Sequence, residues 1–216
     1  MAVLKFDELN KLYTNANAVI HSVPYEKYFD VMDISDEQKE KRIEVARKLE
    51  GAFLFLFSLI DTTILYDYYD LQFIIEQCRR ELLDIIGEYT VIDAYINQYV
   101  NFMSEIIVRN TYDKLSEQPD NEYVLSDDRA VFMAENEANS ICNYDELQEA
   151  IEQGFTMKTW VTQGDNRVRR DHSEVDGMTI PIDEYFEVGD SLMLYPHDEV
   201  NAPEQCVNCR CSALYS

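Results

Sequence analysis

Residues 35–60, SDEQKEKRIEVARKLEGAFLFLFSLI, decide how the rest of the chain is read. Ser35 followed by Gln38 at the third position is a capping-box signature, which starts a helix. Ile43, Ala46, Leu49, Phe53, Leu56 and Ile60 then recur at three- and four-residue steps, the period of an amphipathic helix. A helix with so long an apolar stripe needs partners, and the sequence supplies two. Leu71, Ile74, Cys78, Leu82 and Ile85 form a second stripe, with Gly87 as a stop. Ile92, Ile96, Tyr99, Met103 and Ile106 form a third, over about 91–115. Three helices with short connections predict an antiparallel bundle over about 36–115, preceded by an aromatic-rich, irregular arm at 1–34. Cys78 falls on a core stripe and reads as packing.

The stretch SEQPDNEYVLSDD (116–128) breaks this pattern with Pro119 and a polar cluster, placing a boundary between a helical region, 1–118, and a second module, 119–216. Ser126 or Asp127 caps a helix through RAVFMAENEANSI, and YDELQEAIEQ predicts a further short helix ending at Gly154. Beyond Gly154, MKTWVTQ, MTIPI and LMLYP read as short strands separated by Gly177, Pro181, Gly189, Pro196 and Pro203. The fold class is therefore α+β: a helical bundle followed by a small α+β module.

Bulk properties narrow the function classes. The chain has 216 residues, is 46% hydrophobic and carries a formal net charge of −24. That is enough apolar material for a core, and it is too acidic for a free-standing reader of phosphate backbones. MAVLKFDELNK lacks the basic start and apolar stretch of a signal peptide, and AFLFLFSLI is too short to span a bilayer. A reducing birthplace, with no membrane partner and no disulfide framework, is the expectation.

Three of the five cysteines lie in CVNCRC (206–211). With His172 brought in by the fold, Cys206, Cys209 and Cys211 complete a Cys3His set for one structural zinc. The other reading makes Cys209 and Cys211 small core residues with His172 hydrogen-bonded beside them, and a disulfide is a third option. The arginines of DNRVRRDH (165–172) either touch DNA or an acidic surface, or Arg167 and Arg169 pair with Asp165 and Asp176 to fix the loop. Asp165, Asp171, His172, Glu174 and Asp176 also compose a divalent-metal hydrolytic set, which leads to a nuclease-like alternative. No Gly-rich phosphate loop or nucleophile elbow accompanies them. Trp160 reads as the core anchor of the module. His21 and His197 read as solvated loop residues, and the tyrosines of YDYYD (66–70) as interface or helix-end residues.

DDRAVFMAENEAN (127–139), GFTMKTWVTQGDNRVRRDHSEVDG (154–177), FEVG (186–189), YP (195–196) and NCRC (208–211) occur in that order. This ordered set resembles the Mu F-like head morphogenesis family of tailed bacteriophages, the minor head proteins. It carries Arg129, Trp160, Asp165, Arg167, Arg169, His172, Asp176, Gly177, Asn208, Cys209, Arg210 and Cys211. YFDVMDISDEQKEKRIEVARKLEGAFLFLFSLI (28–60) is similar to the helical leader of shorter members. Some members place Cys-x-x-Cys where this chain has Arg169 to His172. Two departures stand out: Ala134-Glu135-Asn136-Glu137 replaces an Arg-Thr-Glu-like triplet, and Cys206 lies outside the family pattern. The resemblance implies a virion structural protein, not an enzyme. It would sit inside the capsid near the portal and join portal, capsid and scaffold proteins during assembly in the host cytoplasm. It would come close to packaged DNA without reading it, and take no small-molecule substrate.

Overall fold

The computed structural model describes residues 24–62 and 68–216. His21, most of the arm 1–34 and the side chains of the tyrosine cluster 66–70 lie outside the described residues. The helices are α1 (Pro24–Phe29), α2 (Asp36–Thr62), α3 (Tyr68–Ile86), α4 (Ala94–Glu117) and α5 (Asp127–Glu152), with a single 3-10 turn, Glu122–Leu125, before α5. The smaller elements that follow are β1 (Met157–Val161), α6 (Arg170–Glu174), β2 (Thr179–Pro181), β3 (Phe186–Val188), β4 (Ser191–Met193) and β5 (Ser212–Tyr215). The fold is α+β, as the patterning predicts.

Local chemistry starts the helices where expected. The Ser35 hydroxyl accepts from Gln38 N at 3.2 Å, while Ser35 N donates to Gln38 Oε1 at 2.9 Å, closing the capping box. Ser126 accepts from Arg129 N at 3.2 Å and caps α5. Asp93 accepts from Ile96 N at 2.9 Å, so α4 begins three residues later than its apolar pattern suggests. Val91 and Ile92 precede that cap and are exposed, and the buried stripe runs through Ile96, Tyr99, Val100, Met103 and Ile107 rather than Ile106.

The two helices expected over 127–153 are one. Nothing between Ile141 and Tyr144 breaks a helix, and Asn139, Ser140 and Asn143 all find partners outside it, so the polar run continues α5. Ala130, Ala134 and Ala138 recur every four residues and are fully buried, letting α2 pack closely along α5. A single apolar core joins Leu49 and Phe53 of α2, Ile74 and Leu82 of α3, Val100 of α4 and Ile141 and Leu147 of α5. It passes across residue 119 without interruption.

Burial has an electrostatic consequence on α5. Glu135 is 9% exposed, and desolvation pushes its pKa up to about 7. Glu137, fully enclosed with Tyr99 donating to its Oε2, is raised as well. A carboxyl raised on folding opposes stability once it ionises. For Glu135 the penalty is absent below about 4.5, grows as pH rises towards about 7, and then stays constant. It amounts to up to about 3 kcal/mol. Thermal melts are therefore expected to show the protein more stable at pH 5.5 than at pH 7.5, with Glu135→Gln flattening that dependence. A melting temperature that falls on acidification over this window, or an unchanged slope in the variant, would contradict the assignment.

The C-terminal elements form a three-stranded antiparallel sheet in the order β2-β1-β5 and a separate β3–β4 hairpin. Gly189 turns the hairpin at a positive φ of 61°, which favours glycine, and a Cβ there would lie 2.6 Å from Asp171 Oδ2 and push that side chain aside. A second core gathers Trp160, Val175, Phe186, Val188 and Met193 with Cys206, Cys209 and Cys211. Trp160 is fully buried and meets Phe186 edge-on, with centroids 5.2 Å apart. No helix among the described residues is long and apolar enough to cross a membrane.

Candidate metal centre

Three asparagines on α5 build the site from below. Asn136 Oδ1 accepts from Asn208 N at 2.8 Å, Asn139 Nδ2 donates to Cys209 O at 3.3 Å, and Asn143 Nδ2 donates to Cys211 O at 3.4 Å. Steps of three and four residues put all three amides on one helical face. Tyr28 from α1 adds a bond to Cys209 O at 2.8 Å. The helix thus grips the backbone of NCRC and leaves its sulfurs to turn the other way.

On that other side stands His172, which α6 presents. Its Nδ1 lies 3.4 Å from Cys211 Sγ and 3.5 Å from Cys209 Sγ, and its Nε2 lies 3.1 Å from Gln205 Oε1. Trp160 holds the ring edge-on at 5.5 Å. The three potential ligand atoms lie within 4.8 Å of one another, all on buried residues. Bond lengths of about 2.3 Å to sulfur and 2.0–2.1 Å to nitrogen give a tetrahedral zinc an N···S edge of about 3.5 Å. The spacing already matches. Gln205 on the second ring nitrogen is also the outer contact that fixes a ligating histidine's tautomer.

Electrostatics favour one thiolate here. Burial opposes ionisation of Cys209, but the Cys211 thiol, His172 and the nearby His197 together hold its pKa well below that of an ordinary thiol. Cys211, sharing its proton with that sulfur and buried beside it, is pushed far up. A cavity of about 140 Å³ opens onto His172, Cys209 and Cys211, with Arg167, Arg169 and Arg210 along its wall.

Several expectations need correction. Cys206 does not join His172. Its Sγ donates to Ala202 O at 3.2 Å and sits with His197 and Glu199 instead. His197 is fully buried, not solvated. Among the described residues the Arg167 and Arg169 side chains form no ion pair with Asp165 or Asp176, although the Asp165 carboxylate accepts from the Arg167 backbone N–H at 2.9 Å. Arg210 takes Asp165 through two bonds of 2.8 and 2.9 Å and lowers its pKa to about 2. Arg169 instead ties down the carbonyls of Gln205 at 3.0 Å and Val207 at 2.5 Å, so it braces the CVNC turn. Asp176 accepts from Thr162 N at 2.8 Å, and Gly177, at a φ of 73°, follows it in the turn.

The carboxylates of the hydrolytic reading are dispersed. Glu174 pairs with Arg170 at 2.9 Å, and Asp171 lies against Gly189. None of Asp165, Asp171, Glu174 or Asp176 joins His172 in a ligand group among the described residues. Arg129 is structural: it donates to Val124 O at 2.6 Å and Thr111 Oγ1 at 2.9 Å. The gripping asparagines escaped the sequence reading, although their spacing on one face of α5 is visible in it.

No curated protein and no solved structure matches the chain. The family model of phage Mu protein F like protein matches residues 103–214, from within α4 into β5. That span takes in α5, the His172 loop and the cysteine cluster, and it covers just over half of the chain. On that match, the chain belongs to the phage Mu protein F-like family.

Proposed function

We propose that this protein is a minor head protein that sits inside the capsid near the portal and supports head assembly, DNA packaging or delivery. The family match over residues 103–214 is the observation that supports it. The helical region, 1–118, serves as the docking element for portal and capsid or scaffold proteins, and Phe73 on α3 offers an apolar contact at 61% exposed. The module over 119–216 is the rigid unit. A net charge of −24 lets such a protein work beside packaged DNA without adhering to it. Mass spectrometry of purified procapsids and filled heads, with cross-linking, tests this. The protein should appear in few copies and cross-link to the portal. Absence from both particle types would overturn the reading.

The rigid unit is held by one zinc on His172 Nδ1, Cys209 Sγ and Cys211 Sγ. These three residues would hold it beside the arginine-walled cavity, and Cys206 takes no part. The match between the observed 3.4 and 3.5 Å edges and a tetrahedral ion supports this. Native mass spectrometry should find zinc that Cys209→Ser loses, with a drop of at least 5 °C in melting temperature, since metal binding here is folding free energy. Equal zinc in both proteins would remove the ion from this site.

A further inference from the structure

The Cys-x-x-Cys turn splits its two sulfurs. Cys209 faces His172, and Cys206 faces a second group formed by His197 and Glu199. Their ligand atoms lie within 4.8 Å of one another, and all three residues are 5% exposed or less. The His197 ring is held from behind, where Nε2 donates to the Cys209 carbonyl oxygen. That bond places the neutral ring's proton on Nε2 and leaves a lone pair on Nδ1. Nδ1 is buried and has no hydrogen-bond partner among the described residues. An orphaned buried nitrogen is uncommon and needs a cause.

Two further observations point the same way. His197 adopts a φ of 69°, a left-handed conformation unfavourable for a residue with a Cβ. The ring is therefore held in place against its backbone preference. Glu199 is oriented by Ser140, whose hydroxyl donates to Oε1 at 3.1 Å. Glu137, from the adjoining face of α5, adds a second enclosed carboxyl that feels the charge of Glu199 and acts on Cys206. Asp198 is not available, because Tyr95, Leu194 and Asn201 occupy both of its oxygens.

We propose that His197 Nδ1, the Glu199 carboxylate and Cys206 Sγ bind a zinc ion of their own, separate from the one at His172. A set of one nitrogen, one oxygen and one sulfur suits a borderline-soft divalent ion, with water completing the tetrahedron. Cys206 releases its thiol proton to solvent on binding, and Glu199 binds as the anion. The Cys209 carbonyl behind His197 and the Ser140 hydroxyl on Glu199 supply the outer contacts such ligands need. One ion thereby satisfies the orphaned nitrogen and compensates the buried carboxylate.

The test uses the full chain, purified in reductant, loaded with zinc alone and measured by native mass spectrometry. His197→Gly suits the purpose, because glycine takes the positive φ readily. Cys206→Ala is the second variant. Each is expected to bind one zinc fewer per chain than wild type, and each retains the ion that Cys209→Ser loses. Equal zinc content in wild type, His197→Gly and Cys206→Ala would overturn the proposal. If only the His172 site fails, wild type holds a single zinc that survives Cys209→Ser and disappears in His197→Gly.

Discussion

Arg42→Ala is expected to destabilise the protein by about 3–5 kcal/mol, read as a fall in the urea midpoint. Arg42 is fully buried between α2 and α5, and all five of its N–H donors are used. Nε donates to Asn139 Oδ1 at 2.9 Å, Nη1 to Glu146 Oε1 at 2.5 Å and to Gln38 O at 3.3 Å, and Nη2 to Asn143 Oδ1 at 2.8 Å and Glu146 Oε2 at 3.1 Å. Truncation leaves the Glu146 carboxylate enclosed without its counter-charge, which is the costly way to break such a pair. Arg42→Lys should recover little, since a single ammonium cannot reproduce the fork. Replacing both Arg42 and Glu146 with methionine should recover most of the loss, because no charge is then stranded. Asn139 and Asn143 also hold Cys209 O and Cys211 O through their Nδ2 groups, so Arg42→Ala should reduce zinc retention too. A loss below about 1 kcal/mol would show that water reaches Glu146.

Trp160→Ala is the second large effect, at about 3–5 kcal/mol. The indole fills the module's core between Phe186 and His172, on the central strand of the sheet, where it pairs in register with Ala213 of β5. Its removal opens a cavity and withdraws the surface that fixes the His172 ring, so zinc uptake should fall along with stability. Trp160→Phe keeps part of the volume and should cost less, about 1–3 kcal/mol. If Trp160→Ala retained full stability, the module would have to collapse around the gap, and His172 would move with it.

How much of this was legible depended on the range of each interaction. The caps at Ser35 and Ser126, the stripes of α2 and α3 and the burial of Trp160 are local or periodic, and the sequence displays them. The residue types and the family resemblance point to the approach of His172 to Cys209 and Cys211, while no local pattern records it. Cys206 misled because Cys-x-x-Cys invites a shared ion, whereas Ala202 O and the His197 group draw its sulfur away. His197 carried no signal, since a lone histidine after proline in a loop looks solvated until its carbonyl partner from Cys209 is known. The Arg42 network joins residues about a hundred positions apart, and no local pattern records it. Lys158 is similar: fully buried on β1, it donates to Ile182 O at 2.8 Å and Leu194 O at 2.6 Å, and burial lowers its pKa to about 8.

From Arg129 to Leu147, α5 is buried on nearly every side by α2, the cysteine turn and the loop around His197. No partner can reach it in the folded protein. The part of the family match that falls on this helix therefore registers an internal frame, not a docking face. Contacts with any other molecule therefore fall on the outer faces of the remaining elements.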